Sequence, residues 1–288
     1  LGDRVTVALT TRMGRKCQNS FLIQGRGHAM RSPFEIYHET TPADALDALY
    51  TIAGEGGAPP SINDLVFAGD GAMFGRAVTM RSLPSRADFD ADVAKDSEAK
   101  RGMGIFAHAL SSCDNESVLV IEARGLTHYA AGGGTGLSSL VGRRAAGLLT
   151  DGQIRDRNSL TANAAKTGTK LAVGGFTLQY GTHRMLTPHD VNCPVVIGQT
   201  LVRPGDFVFG NGDGVLIIPE HLAEETLETA VVLARSAAVM EEMLVARHEV
   251  LGADLKGITA EVVQEMMRRS DFSDRQLELM EKHVTAIR

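Results

Sequence analysis

Hydrophobic and polar positions change their period several times along the chain, and each change predicts an element. Thr41-Pro42 supplies a helix cap and a first-position proline, and Ala43, Leu46, Leu49, Tyr50 and Ala53 follow at helical spacing. Gly54 to Pro60 ends that helix. From Gly71 to Pro84 the period becomes two, with Met73, Gly75, Ala77, Thr79 and Arg81 alternating with Phe74, Arg76, Val78, Met80 and Ser82. That alternation predicts a strand. A charged, exposed stretch over 88–100 leads into a helix expected over 102–110. Val118-Leu119-Val120-Ile121 predicts a buried strand, residues 160–166 a short helix, and Leu171-Ala172-Val173 another strand.

The last third changes character. Four short strands are expected at 194–197, 200–202, 207–209 and 215–218, joined in part by Arg203-Pro204-Gly205-Asp206 and Asn211-Gly212-Asp213-Gly214, which carry turn residues. Helices at 220–248 and 259–285, interrupted near Gly252 and Gly257, close the chain. The first forty residues have weak periodicity, with short strands expected at Val5–Leu9 and Phe21–Ile23 and a turn at Gly25–His28. Strands separated by helices and then a run of strands argue for an α/β or α+β domain. The expected organisation is an N-terminal arm over 1–40, a regular domain over 41–220, and C-terminal helices over 221–288 long enough to pack against another subunit.

Composition narrows the function classes. A net charge of -6, with its basic residues in short patches such as Arg12 to Lys16 and Arg143-Arg144, argues against nucleic acid as the main partner. No apolar run reaches the roughly 18 residues of a membrane span, and the N-terminus lacks a signal pattern. Cys17, Cys113 and Cys193 are scattered without zinc-ligand spacing and read as reduced thiols of a cytoplasmic protein.

Candidate chemistry concentrates between Gly132 and Asp156. Gly132-Gly133-Gly134-Thr135-Gly136 is a glycine loop, followed by an amphipathic run to Ala146, a buried strand from Gly147, an Asp151-Gly152 turn, and the pair Arg155-Asp156. A glycine loop opening a helix offers backbone N–H groups at the positive end of the helix dipole, which suits an anion. Arginine grips the same anion as a fork, and aspartate can hold a divalent metal. Together these groups suit a small metal-chelating acid such as a 2-oxo acid. The loop is not a Walker loop, because Gly-Lys-Ser/Thr is missing, and Ser139 stands where a dinucleotide fingerprint has its third glycine. Asp151 alone reads as a turn residue and Arg155-Asp156 alone as a surface ion pair. The combination and its spacing carry the functional reading. His108, His128, His183 and His189 have no partners at triad or metal spacing, and Asp213 reads as structural.

Two segments carry a family resemblance. Asp151-Gly152-x-x-Arg155-Asp156 and Pro204-Gly205-Asp206-x-Val208-x-Gly210-Asn211-x-Asp213-Gly214-Val215-x-Ile217-x-Pro219 resemble the RraA-like family, and Gly75 to Arg81 is similar to its early strand. That family includes 4-hydroxy-4-methyl-2-oxoglutarate aldolases and regulators of ribonuclease E activity. The resemblance spans about residues 41–220 and implies an α/β swivelling β/β/α-type sandwich, here with a C-terminal helical extension, that assembles as trimers or hexamers. It implies substrate binding by Gly133, Gly134, Thr135 and Gly136, an enolate-binding role for Arg155, and a Mg²⁺ or Mn²⁺ ion supported by Asp156. Members are often labelled demethylmenaquinone methyltransferase, yet no methyl-donor site is legible here. The chain departs from the aldolase pattern at Gly134 and Ser159, both commonly acidic. The leading expectation is a metal-dependent lyase, aldolase or decarboxylase, releasing pyruvate from a 2-oxo acid. The competing expectation is a non-catalytic regulatory or binding protein on the same scaffold.

Overall fold

The structure, a computed structural model, describes residues 5–7, 21–23, 31–54, 57, 59, 61–88, 103–126, 128–180, 185–246, 268–269 and 272–284. The expected turn at 25–28, most of the charged stretch at 88–100, the breaks near 252 and 257, and residues 259–267 of the last expected helix lie outside these, as do Cys17 and His183. The chain divides into two compact units: Ala58–Ala223, and a second built from Leu1–Gly57 with Glu224–Arg288.

In the second unit, strands β1 (Val5–Val7) and β2 (Phe21–Ile23) form an antiparallel pair. Helix α1 (Pro33–Ile36) runs into a 3-10 turn, and α2 (Pro42–Ala53) starts where Thr41-Pro42 predicts. Thr41 Oγ1 accepts the Asp44 N–H at 3.2 Å and the Asp44 carboxylate accepts the Thr41 N–H at 3.1 Å, so each end of the cap satisfies the other.

The other unit is a mixed sheet. Its strands are β3 (Val66–Ala68), β4 (Met73–Pro84), β5 (Ser117–Glu122), β6 (Ala130–Gly132), β7 (Gly147–Ile154), β8 (Lys170–Phe176), β9 (Leu186–Val191), β12 (Phe207–Asn211) and β13 (Gly214–Ile218). A separate hairpin joins β10 (Val195–Ile197) to β11 (Thr200–Val202). The nine-stranded sheet runs β13-β12-β4-β5-β7-β8-β3, with β6 added to β7 and β9 to β4. The central strands β4, β5, β7 and β8 are parallel, so each connection must cross over. Helices α3 (Met103–Ser111), α4 (Gly134–Gly142) and α5 (Arg157–Thr167) lie in those connections.

Alternation along the strands sorts side chains into two cores. Leu119, Ile121, Leu148, Leu171 and Val173 pack with Phe106, Leu137, Leu140 and Leu160 from the helices. Val118, Val120, Leu149 and Ala172 pack instead with Val195, Ile197 and Val202 of the hairpin and with Val208 and Ile217. Hairpin, sheet and helices thus form the β/β/α layering expected from the resemblance, and the fold is α/β. Helix α6 (Ala223–Ala246), preceded by a 3-10 turn, and α7 (Asp274–Val284) complete the helical unit.

Three differences from the sequence expectations matter for the site. Asp151-Gly152 is not a turn after a strand. It lies inside β7, where pairing to β8 slips between Thr150 and Gln153, so two residues of β7 face one of β8. The run Leu137–Ala146 is not one helix, because α4 begins inside the glycine loop and ends at Gly142. A short strand, β6, delivers the glycine loop to the sheet, parallel to β7.

Candidate functional site

Strands β6 and β7 end side by side, and that juxtaposition builds the site. The Arg155 N–H donates to the Gly132 carbonyl at 3.1 Å, which ties the end of β7 to the start of the glycine loop. Gly133 caps α4 without a side chain, and the first intrahelical bond runs from the Leu137 N–H to the Gly133 carbonyl at 2.9 Å. The amides of Gly134, Thr135 and Gly136 therefore have no partner within the helix. Gly134 N–H donates to Asp156 Oδ2 at 2.9 Å. Those of Thr135 and Gly136 remain as donors at the positive end of the helix dipole.

Asp156 precedes α5 in the left-handed region, at φ 67° and ψ 41°. Few residues with a Cβ adopt this conformation, and aspartate is among the better tolerated. Its Oδ1 lies 3.6 Å from Arg155 Nε, with the two side chains 40% and 36% exposed. No shorter polar contact engages the Arg155 guanidinium among the described residues. The guanidinium carbon sits 5.7 Å from the centre of the Tyr180 ring.

The glycines are shaped by these neighbours. A Cβ at Gly133 would come within 2.7 Å of Arg155 Cγ, and one at Gly134 within 2.9 Å of Asp156 Cβ. Ser159, the other position that departs from the aldolase pattern, donates its hydroxyl to the Asp156 carbonyl at 3.1 Å. Both departures thus lie against the same aspartate.

One cavity of about 390 Å³ is lined by Gly133, Thr135, Gly136, Arg155 and Asp156, joined by Phe106, Ala130, Ala131, Gly132 and Tyr180. The structure therefore brings the sequence-predicted group together, except that Gly134 is outside the cavity lining and is bonded to Asp156. Phe106 and Tyr180 were not foreseen, because they come from α3 and from the segment after β8, far from the motif in sequence. The adjoining Asp151 is a scaffold residue: its carboxylate accepts the N–H groups of Ala123 at 2.7 Å and Gly125 at 2.8 Å. Burial raises its pKa, and these backbone donors pull the other way. Asp213 caps its own turn through Asn211, at 2.9 Å and 3.2 Å. His189 pairs with Asp190 at 2.9 Å, away from the cavity lining.

Comparison with known proteins places the fold. The family described as RraA-like, Aldolase/RraA, matches residues 42–217, which is more than half of the chain. The chain belongs to the RraA-like family. A Halalkalibacterium halodurans protein provisionally named 4-hydroxy-4-methyl-2-oxoglutarate aldolase is 31% identical over 116 residues, covering 39% of this chain and 51% of its own length. The chain thus spans about half the length of that curated relative. Among solved structures, an uncharacterized Pseudomonas syringae protein matches with a TM-score of 0.58 at 17% identity, over 74% of this chain and 92% of its own. Streptomyces coelicolor RraAS2, described as an unusual member of the RNase ES inhibitor RraA protein family, matches with a TM-score of 0.55 at 20% identity, over 76% and 96%. These structures share the RraA-like fold. Among the described residues, no helix is long and apolar enough to cross a membrane.

Proposed function

We propose that this RraA-like protein is a metal-dependent carbon–carbon lyase that releases pyruvate from a 2-oxo acid through a stabilised enolate. The observation that carries this reading is the convergence of Arg155, Asp156 and the open amides of Thr135 and Gly136 on one cavity. The aldolase branch of the family supports it. In a 4-hydroxy-2-oxo acid, the bond between C3 and C4 breaks and its electron pair enters an enolate spread over C3, C2 and the 2-oxo oxygen. The C4 hydroxyl gives its proton to solvent and becomes a carbonyl, and C3 takes a proton to give pyruvate. An oxaloacetate-like acid would lose carbon dioxide through the same enolate. The Thr135 and Gly136 amides hold the substrate carboxylate, and the Arg155 guanidinium meets the charge developing on the enolate oxygen.

The donor set fits a hydrated Mg²⁺ or Mn²⁺ ion rather than a closed cage. Asp156 is the acidic side chain lining the cavity, and no group of three or more His, Cys, Asp or Glu converges among the described residues. Mg²⁺ characteristically keeps several waters and takes one or two carboxylates, the rest coming from substrate. Asp156 would hold it through Oδ1, since Oδ2 is bonded to Gly134. When bound, the ion supplies Lewis acidity toward the 2-oxo group. On this reading the chain works as a homo-oligomer, a trimer or hexamer, with α6 and α7 as subunit-packing elements.

The test is pyruvate release from 4-hydroxy-4-methyl-2-oxoglutarate, from oxaloacetate and from a 4-hydroxy-2-oxo monocarboxylate with an apolar C4 substituent, with Mg²⁺, with Mn²⁺ and with chelator. Metal-dependent release that disappears in Arg155→Ala is the expected result. A second reading, a non-catalytic regulatory or binding protein, is favoured by one observation: Gly134 and Ser159 replace acidic groups around Asp156, whose Oδ2 is spent on its own loop. Folded protein that gives no pyruvate under any of these conditions, and that binds no 2-oxo acid through Arg155, decides for that reading.

A further inference from the structure

Resting on the 2-oxo acid reading of the site, we infer that the cavity selects a monocarboxylate whose substituent beyond C3 is apolar, and that Tyr180 and Phe106 read that substituent. Arg155 and Asp156 are the charged groups of the cavity lining and meet the glycine loop at Gly133. The remaining wall is Ala130, Ala131, Phe106 and the Tyr180 ring. Among the described residues lining the cavity, Arg155 is the sole cation, and the 2-oxo acid head occupies it. A second carboxylate lying along the apolar wall would surrender water without gaining a charged partner, which is costly. An apolar substituent gains from the same wall.

The Phe106 ring and the Tyr180 backbone are both held in place. Phe106 is 5% exposed, and its ring reaches the cavity because residue 136 is glycine: a Cβ there would sit 2.7 Å from Phe106 Cε1. Gly136 therefore serves the loop and also opens the slot for the ring. Tyr180 is fixed by a parallel bridge to Ala130, whose N–H donates to the Gln179 carbonyl at 3.0 Å. Its side of the cavity is anchored, yet the residue keeps 50% of its surface open for a ligand to cover. The ring also stands beside the Arg155 guanidinium, so a substituent extending from an Arg155-bound head group meets Tyr180 next.

Calorimetric titration of the full chain in Mg²⁺ with pyruvate, phenylpyruvate and 2-oxoglutarate tests this. Phenylpyruvate is expected to bind about tenfold or more tightly than pyruvate, the range apolar pockets reach for added apolar groups. The expectation for 2-oxoglutarate is an affinity no better than that of pyruvate. Tyr180→Ala is expected to erase the phenylpyruvate advantage, read as the ratio of the phenylpyruvate and pyruvate affinities in the same variant, whereas Tyr180→Phe keeps that ratio because the ring remains. Tighter binding of 2-oxoglutarate than of phenylpyruvate, or a phenylpyruvate advantage that survives Tyr180→Ala, overturns the inference. If pyruvate binds in an Arg155-dependent way without any preference for the apolar substituent, the inference fails and the 2-oxo acid site stands. If no 2-oxo acid binds the folded protein, or Arg155→Ala changes nothing, the site reading itself fails and takes the inference with it.

Discussion

Arg31 and Arg235 of the helical unit and Arg155 of the α/β unit are used in opposite ways. In the helical unit, Arg31 forks onto Glu228 at 3.2 Å through two nitrogens and also binds Glu39. Arg235 closes on Glu39 at 2.7 Å, and Gln276 adds a donor to Glu228 at 2.9 Å. Both guanidinium groups are spent on joining segments far apart in sequence. In the α/β unit, Arg155 meets Asp156 only loosely at 3.6 Å, while the carboxylates Asp151, Asp156 and Asp206 accept backbone N–H groups. A carboxylate satisfied by the main chain leaves a neighbouring arginine with donors to spare. On the proposed reading, Arg155 is the cation left to meet a substrate.

The largest expected effect tests that distinction directly. Arg155→Ala should reduce pyruvate formation by about a hundredfold or more, with circular dichroism unchanged. Asp156→Asn should do the same while keeping the Gly134 contact and the left-handed backbone, because asparagine tolerates both. Wild-type turnover in either variant would remove the contrast between spent and available cations. In the helical unit the corresponding change is structural: Glu228→Ala strands the Arg31 fork and should lower stability by about 2 kcal/mol in denaturant unfolding, without a direct effect at the cavity. A smaller effect is expected from Gly134→Ala. Helix propensity favours alanine by about 1 kcal/mol, but its Cβ would press on Asp156 Cβ. Activity should therefore fall about tenfold while stability stays within about 1 kcal/mol; an active variant would show that the Asp156 position is not critical.

The smallest effect is a difference in pH dependence between the units. Burial raises the Asp151 and Asp206 carboxyls above the usual range despite their backbone donors. Burial would raise Glu39 too, but Arg31 and Arg235 outweigh it and hold Glu39 below the usual range. Stability linked to Asp151 and Asp206 is full below the ordinary carboxylate pKa and is lost as pH rises through their raised values. Stability linked to Glu39 is present above the ordinary value and is lost as pH falls through the lowered one. Carboxyl carbon NMR titration should place Asp151 above and Glu39 below a free carboxylate. The reverse order would erase the distinction between backbone-held and arginine-held carboxylates.

The site was legible in the sequence to the extent that its parts lie close together along the chain. Gly133 to Gly136 and Arg155-Asp156 belong to one strand–helix–strand unit, so spacing alone suggested that they meet. Phe106 and Tyr180 carry no local signal, because an aromatic residue near a helix start or strand end is ordinary and only the tertiary fold brings it to the loop. Among the elements, β4 followed from alternation, β5 from a short apolar run, and the strands from 195 to 218 from apolar runs between turn residues. Strand β9 carries Pro188, which reads as a strand breaker and is tolerated at the sheet position it occupies beside β4. The three-residue strands β3 and β6 are too short to show a period. Asp151-Gly152 reads as a turn because that dipeptide usually is one. Here the side chain of Asp151 binds the backbone beyond β5 and lets the pair sit inside a strand.

The slip inside β7 has a consequence for how this protein can change over generations. Substitutions around the cavity can be absorbed one at a time, since each alters a side chain and leaves the frame of the strand alone. Loss of a single codon between Thr150 and Gln153 is different. It would restore even pairing with β8 but remove the bend that the extra residue puts into β7 just ahead of Arg155 and Asp156, so the pair would be aimed differently at the glycine loop. This strand should therefore tolerate spelling changes and reject changes of length, and its length is a trait on which descent can be read even where the letters have diverged.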